Sequence, residues 1–342
     1  MLILSNALAK VVDEGCVKVA NSLVKRVKEK SSNHLVVTFE RESSLSDHHL
    51  VLNKFLCNNS LRKLIKKQNQ RVLYLPFPAK PISTALRVLM VSLFAKRGLD
   101  VVVTMQTQMD FLSRMLLKIS KANFIVFSKD SAQTFSAIVG EKRVVYLKTG
   151  VDTKKFIPVS GEQAKQLKEK YGLDPQKPVV LHVGHLNAGR NVGVFTRLDE
   201  QYQGVLVVST QTKNEQDLQL KQQLRSCLNV KIIEDYLPNI EEIYQLADVY
   251  LFPVLEYGRC IDVPLSCLEA AACNKPIITT PYGEMKEFVG QEGFWFTECF
   301  DKSNLNQILQ EALNSGEKNT RQKVLAYDWD ESVETVVQRE GF

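Results

Sequence analysis

Residues 254–280 read VLEYGRCIDVPLSCLEAAACNKPIITT. A polar loop containing Gly and Pro leads into Ser266-Cys267-Leu268-Glu269-Ala270-Ala271-Ala272, a helix start rich in alanine. Asn274-Lys275-Pro276 ends that helix, and an apolar strand follows. Loop, helix, turn and buried strand in this order form one step of a parallel α/β sheet. The same step carries chemistry. Backbone N–H groups at a helix N-terminus suit a diphosphate. Glu269, one turn in, offers a carboxylate that can accept two hydrogen bonds from a ribose diol.

Outward from this stretch the rhythm repeats. Val179–Val183, Val205–Ser209, Val230–Ile233, Val249–Phe252, Pro276–Thr279 and Gly293–Phe296 read as strands. So do Leu2–Ser5, Leu35–Thr38, Val72–Leu75, Val101–Thr104, Phe124–Phe127 and Val144–Leu147 in the first half. Apolar strands alternating with helices mean parallel sheets covered on both faces, and two such sets imply two doubly wound α/β domains. The length of 342 residues suits two domains, and 44% hydrophobic with 24% charged residues is a globular composition. No apolar run is long enough to span a bilayer. Met1-Leu2-Ile3-Leu4-Ser5 reads as a strand, not a leader. Seven cysteines without a C-x-x-C pair read as free thiols of a reducing cytosol.

The charge is uneven. The chain has 44 Lys+Arg and 38 Asp+Glu, of which residues 1–150 hold 24 and 10, a local net of +14 that leaves −8 for the rest. A basic half points to nucleic acid, an anionic membrane or a phosphorylated ligand. Three helical stretches carry this charge. Leu61–Lys67 opposes Leu61, Leu64 and Ile65 to Arg62, Lys63, Lys66 and Lys67. Phe111–Lys121 has an apolar arc of Phe111, Leu112, Met115, Leu116 and Ile119 edged by Arg114, Lys118 and Lys121. Ile82–Arg97 is apolar nearly all round. Each is expected to pack on its sheet with a solvated basic side, and together they predict peripheral contact with an anionic membrane. Aromatic residues are not interleaved with the basic ones, which argues against nucleic acid.

The second chemical segment is Val183-Gly184-His185-Leu186-Asn187-Ala188-Gly189-Arg190-Asn191. A strand ends at Gly184, and Arg190 follows in a loop where it could clamp a diphosphate. A phosphate-binding G-x-x-x-x-G-K-[ST] loop, H-E-x-x-H and G-x-S-x-G are all absent from the sequence. The five histidines do not cluster with cysteines at metal spacing. Asp328-Trp329-Asp330 could hold a cation, but Asp328 with Glu331 reads better as a helix cap. No metal and no resident cofactor are expected.

These residues resemble a known family. Glu269 and its surroundings are similar to the E-A-M-A-C-G-x-P-V-[IV] signature of family-4, or group 1, glycosyltransferases of the GT-B fold. Gly184 to Arg190 resembles that family's V-G-R-L-x-x-x-K-[GN] loop. Thr149-Gly150-Val151-Asp152 through Phe156 and Pro158 resembles its N-G-V-D-x-x-x-F-x-P joint. Phe127-Ser128-Lys129-Asp130-Ser131 resembles the turn before it, Tyr236 to Val249 the stretch ending in A-D-V, and Tyr327-Asp328-Trp329-Asp330 the start of the last helix. The likeness runs through about residues 120–340.

The resemblance implies two Rossmann-like domains facing a cleft: an acceptor domain at 1–160, a nucleotide-sugar domain at 161–325, and a segment 326–342 that crosses back. It implies that Glu269 binds ribose, that Arg190 stands for the family's phosphate-binding Lys and His185 for its Arg. Backbone at Leu237 and Pro238 would hold the base. Gly184 would face the donor from the strand end, and Ser266, Cys267 and Leu268 would offer backbone N–H groups. Gly15 would lie in the turn facing the donor. The sequence departs from the family at two places. Ile261 stands where the first Glu of E-x7-E belongs, with Asp262 one position off. Gln106 lies where a His is common, and a Gln is no general base. Asp262 and Gln106 complete the candidate catalytic set.

The expected activity is metal-independent, retaining transfer of a hexosyl or deoxyhexosyl group from a nucleotide-diphosphate sugar, UDP or GDP, to a saccharide or lipid-linked acceptor. Cell-surface polysaccharide or glycolipid synthesis at the cytoplasmic face of a membrane would use it. The alternatives are a catalytically silent GT-B partner subunit and a GT-B sugar-nucleotide epimerase. A homo-oligomer is compatible with all of these.

Overall fold

The structure is a computed structural model that describes residues 1–12, 14–31, 33–105, 108–208, 218–316 and 319–338. It divides into two compact units, each with its own core.

The first unit contains Met1–Thr149. Its strands are β1 (Leu2–Ser5), β2 (Leu35–Thr38), β3 (His48–His49), β4 (Val72–Leu75), β5 (Leu99–Val103), β6 (Asn123–Val126) and β7 (Val144–Tyr146). They form one parallel sheet in the order β3-β2-β1-β4-β5-β6-β7. Its helices in the same span are α1 (Gly15–Lys30), α2 (Asn59–Gln68), α3 (Pro81–Phe94), α4 (Phe111–Ile119) and α5 (Lys129–Val139). The strands β1, β2, β4, β5 and β6 are rich in Val, Leu and Ile and buried almost throughout, as a sheet covered by helices on both sides requires, whereas the edge strands β3 and β7 are exposed and half-buried. Sequence signals set the helix starts. Asp110 caps α4 by accepting from the Ser113 N–H at 2.8 Å, and Ser128 caps α5 through the Ser131 N–H at 3.1 Å. Asp110 is thereby held below the usual carboxylate range.

The second unit contains Gly150–Cys260 and Pro264–Asp328. In chain order it runs α6 (Gly161–Lys170), β8 (Val179–Gly184), β9 (Gln203–Val208), α7 (Leu218–Arg225), β10 (Val230–Ile233), α8 (Ile240–Leu246) and β11 (Val249–Phe252). It continues with α9 (Leu265–Ala272), β12 (Ile277–Thr279), β13 (Phe294–Phe296), α10 (Lys302–Asn314) and α11 (Thr320–Val324). The sheet order is β10-β9-β8-β11-β12-β13, all parallel. Strand order reverses between β8 and β11, so the crevice at their C-terminal ends is the natural ligand site of such a sheet. The segment after Thr149 belongs to this unit. Arg321 ties it down, donating to the carbonyls of Thr153, Phe156 and Ala272 at 2.7–2.8 Å.

The last helix, α12 (Trp329–Gln338), belongs to the first unit. It packs on α1, where Arg26 Nε meets Asp330 Oδ1 at 3.0 Å, and Ser332 donates to the Lys148 carbonyl at 2.7 Å. Asp328 instead accepts from the Thr153 N–H and hydroxyl at 2.9 and 2.6 Å within the second unit. The two carboxylates of Asp328-Trp329-Asp330 therefore serve different units.

Strand positions agree with the sequence reading to within about two residues, and β3 is an addition to it. One expectation is corrected. Apart from Leu116, which is half-buried against the core, the apolar arc of Phe111–Lys121 does not pack on the sheet. In α4 the buried residues are Ser113 and Leu117, whereas Phe111 is 82%, Ile119 58% and Met115 41% exposed. Asp110 fixes where the helix begins and Ser113 takes both of its carboxylate oxygens, which turns the arc outward.

Candidate functional site

The loops after β8 and β11 build the site of the second unit. β8 reads Val179-Val180-Leu181-His182-Val183-Gly184 and places a histidine in a buried strand. The His182 ring lies among Phe195, Tyr250 and Phe252, with centroids 6.3 Å apart in each case. Its Nδ1 is 2.9 Å from the Leu251 carbonyl, which only accepts, so the neutral ring carries its proton there. Burial pushes the His182 pKa down to about 4 despite this bond, and Arg190 and His185 act in the same direction. Nε2 is then a buried acceptor with no hydrogen-bond partner among the described residues. A Cβ on Gly184 would lie 3.0 Å from that nitrogen and 3.8 Å from Arg190 Nη1. The strand end is therefore closed to side chains, and Gly184 lets backbone approach Arg190.

After Gly184 the chain turns through half-buried His185 to a short 3-10 turn at Ala188–Arg190. Asn187 caps this turn by accepting from the Arg190 N–H at 3.0 Å. Asn191 then adopts a left-handed φ of 54°, a conformation Asn tolerates, and its amide donates to the Pro253 carbonyl at the end of β11. These contacts fix the backbone from which the Arg190 side chain projects. Arg190 is 8% exposed, its Nε is buried without a hydrogen-bond partner, and it forms no ion pair with a described residue. Its charge acts on the thiol of Cys267 and on His182, which places the guanidinium by the start of α9 and the end of β8.

The Tyr250 hydroxyl joins the end of β8 to the start of α9. It donates to the Val183 carbonyl at 3.3 Å and also pairs with Ser266. At the start of α9 one expectation is refined. The N–H groups of Cys267 and Leu268 donate to the Pro264 carbonyl at 3.0 and 3.4 Å, so they are already used. The amides that project from the helix start are those of Leu265 and Ser266, for which the helix supplies no acceptor. Cys267 is fully buried, and burial keeps its thiol protonated, so it is no nucleophile.

Glu269 lies deeper than its proposed role suggests. It is 2% exposed, and its Oε2 accepts from the Tyr244 hydroxyl at 2.7 Å. Leu237 and Pro238 lie in the loop between β10 and α8, half-buried and exposed, at the same sheet edge as Gly184.

Three candidates fall elsewhere. Gly15 and Asp262 belong to the first unit, and Gln106 lies outside the described residues. Gly15 opens α1, and a Cβ there would come 2.9 Å from Ile261 Cδ1. Asp262 is buried. It accepts from the hydroxyls of Ser131 and, at 3.3 Å, Ser128 at the start of α5, and its N–H donates to the Thr104 carbonyl at 2.9 Å. That is the position of an anchoring carboxylate.

The sequence reading missed His182, Tyr244, Tyr250 and Arg259. A histidine inside an apolar strand was a visible signal, but the tyrosines look like ordinary core. Arg259 gave none. Its side chain lies on Gly189, whose Cβ would be 2.6 Å from Arg259 Nε, and it pairs with Glu256 at 2.8 Å. It brings a second cation to the Arg190 turn.

Two parallel doubly wound sheets, with the last helix assigned to the first unit, define the GT-B fold of glycosyltransferases. Residues 177–315, most of the second unit, match the family Glycosyl transferases group 1. Alr3699/HepE of Anabaena, solved with UDP, is similar in structure with a TM-score of 0.76 at 16% identity, over 99% of both chains. A glycosyltransferase from Rickettsia africae gives 0.79 at 14% identity over 99% of this chain and 97% of that one. Sucrose-phosphate synthase from Thermosynechococcus elongatus gives 0.73 at 16%, over 98% and 97%. No curated protein matches by sequence.

Proposed function

We propose that this protein is a glycosyltransferase that moves a sugar from a nucleoside-diphosphate sugar to a hydroxyl of a saccharide or lipid-linked acceptor. The observation that carries the reading is Arg190, a guanidinium buried at the switch point of the second sheet that forms no ion pair with a described residue. A buried cation is costly unless paired, and a diphosphate at this place would pair it.

In this reading Arg190 and the amides of Leu265 and Ser266 hold the diphosphate, with Arg259 and His185 adding positive charge or hydrogen bonds. Backbone at Leu237 and Pro238 receives the base, and Glu269, oriented by Tyr244, receives the ribose. Uridine is the favoured base, because the Anabaena relative was solved with UDP. The C1–O bond to the diphosphate breaks as the acceptor oxygen bonds to C1. The acceptor proton leaves with the departing phosphate, and the bonding electrons stay on the diphosphate. Positive groups fixed where that charge develops lower the barrier. They would do so without a divalent ion, and retention of configuration follows if the acceptor attacks from the leaving-group face. Asp262 is left out of this chemistry because two serines occupy it.

A thermal-shift panel of UDP, GDP, dTDP and their common sugars, with and without EDTA, tests the donor. A ligand at a hundred times its Kd adds about 2.7 kcal/mol of stability. A shift with UDP and UDP-sugars that survives EDTA is expected. No shift with any nucleotide would overturn the reading and favour a silent partner subunit.

A further inference from the structure

We infer that the outer face of α4, with the end of α3, docks on an anionic lipid bilayer. The surface follows from the corrected orientation of α4. Phe111, Met115 and Ile119 recur every fourth residue and line one side of the exposed face. Arg114 and Lys118 recur at the same spacing on the other side, and Lys121 follows the helix. These three cations form no ion pair with described residues, and between Phe111 and Lys121 the sequence has no acidic residue. α3 packs on α4 and runs in the same direction through a parallel sheet, so their C-terminal ends share one edge. There α3 adds Leu93, 65% exposed, followed by exposed Lys96 and Arg97.

Apolar side chains beside unneutralised cations on one exposed helix face are what an interfacial helix presents to a membrane. The apolar side enters the acyl boundary and the cations meet the headgroups. A second copy docking through the same face would set cations against cations. No described helix is long and apolar enough to cross a membrane, and the contact proposed is a peripheral one. The proposal deepens the lipid-linked acceptor reading above and rests on it for its biological purpose. The binding itself requires neither donor nor acceptor.

The test is co-sedimentation of the full chain with vesicles of phosphatidylcholine alone or mixed with phosphatidylglycerol, at low and high salt. The variants are F111S/M115S/I119S and R114Q/K118Q, each checked for an unchanged melting temperature. More than about tenfold stronger partition onto the anionic vesicles is expected, weakened by salt and lost in both variants. These exposed substitutions should not disturb folding, and UDP-induced stabilisation should persist in both, which separates this proposal from the donor reading. No partition, or equal partition onto both vesicle types, would overturn it. So would a wild-type mass in solution twice that of F111S/M115S/I119S, because a second copy would then cover the face.

Discussion

At the scale of single residues, His182 and Arg190 define the second unit's site more sharply than Glu269 does. His182 is held neutral by burial, with a pKa near 4 against an ordinary value of 6.5. The unfolded chain therefore binds the extra proton first. Stability from this group is complete above pH 6.5 and is lost as the pH falls toward 4. The loss amounts to about 3 kcal/mol. Denaturant unfolding of wild type and His182→Asn between pH 7 and pH 4.5 checks it. The wild type should weaken over this range more steeply than the variant, whose amide can keep the bond to the Leu251 carbonyl without titrating. Equal slopes would contradict the assignment. Glu269 is a poorer probe of function, because removing it leaves the buried Tyr244 hydroxyl without its acceptor and destabilises the fold as well.

At the scale of elements, β9 shows what packing demands. Gly204 lies in this strand, and a Cβ there would meet Phe195 Cδ1 at 2.8 Å and Leu198 Cδ1 at 3.0 Å. Gly204→Val should cost about 1–3 kcal/mol through overpacking. Thermal unfolding of the variant, with UDP binding measured alongside, checks it, and an unchanged melting temperature would contradict the packing. The strands were legible in the sequence because a sheet buried on both faces is written as runs of Val, Ile and Leu. Helix orientation was not. The arc of α4 has the pattern of a core-facing stripe, and only the burial of Ser113 and Leu117 shows that it faces outward. The Gly184–Arg190 loop and the α9 start were legible because glycines and a lone cation punctuate apolar runs. The way Tyr250, Asn191 and Arg259 hold that loop was hidden, because each contact joins residues distant in sequence or depends on a backbone turn.

At the scale of the whole molecule, the two units carry different chemistry. The second has the match to group 1 glycosyltransferases and a buried cation without an ion pair among the described residues, while residues 1–150 carry the net positive charge of +14. The central claim is that Arg190 is kept for a diphosphate. Arg190→Met keeps much of the side-chain volume and removes the charge. The most direct measurement is calorimetric titration of UDP into wild type and Arg190→Met, with the melting temperature of each protein taken without ligand. The expected result is UDP binding by the wild type, at least about a tenfold loss in the variant, and an unliganded melting temperature that stays the same or rises. Equal UDP affinity in the two proteins would contradict the claim. So would a variant that melts well below wild type without ligand, since Arg190 would then be holding the fold together.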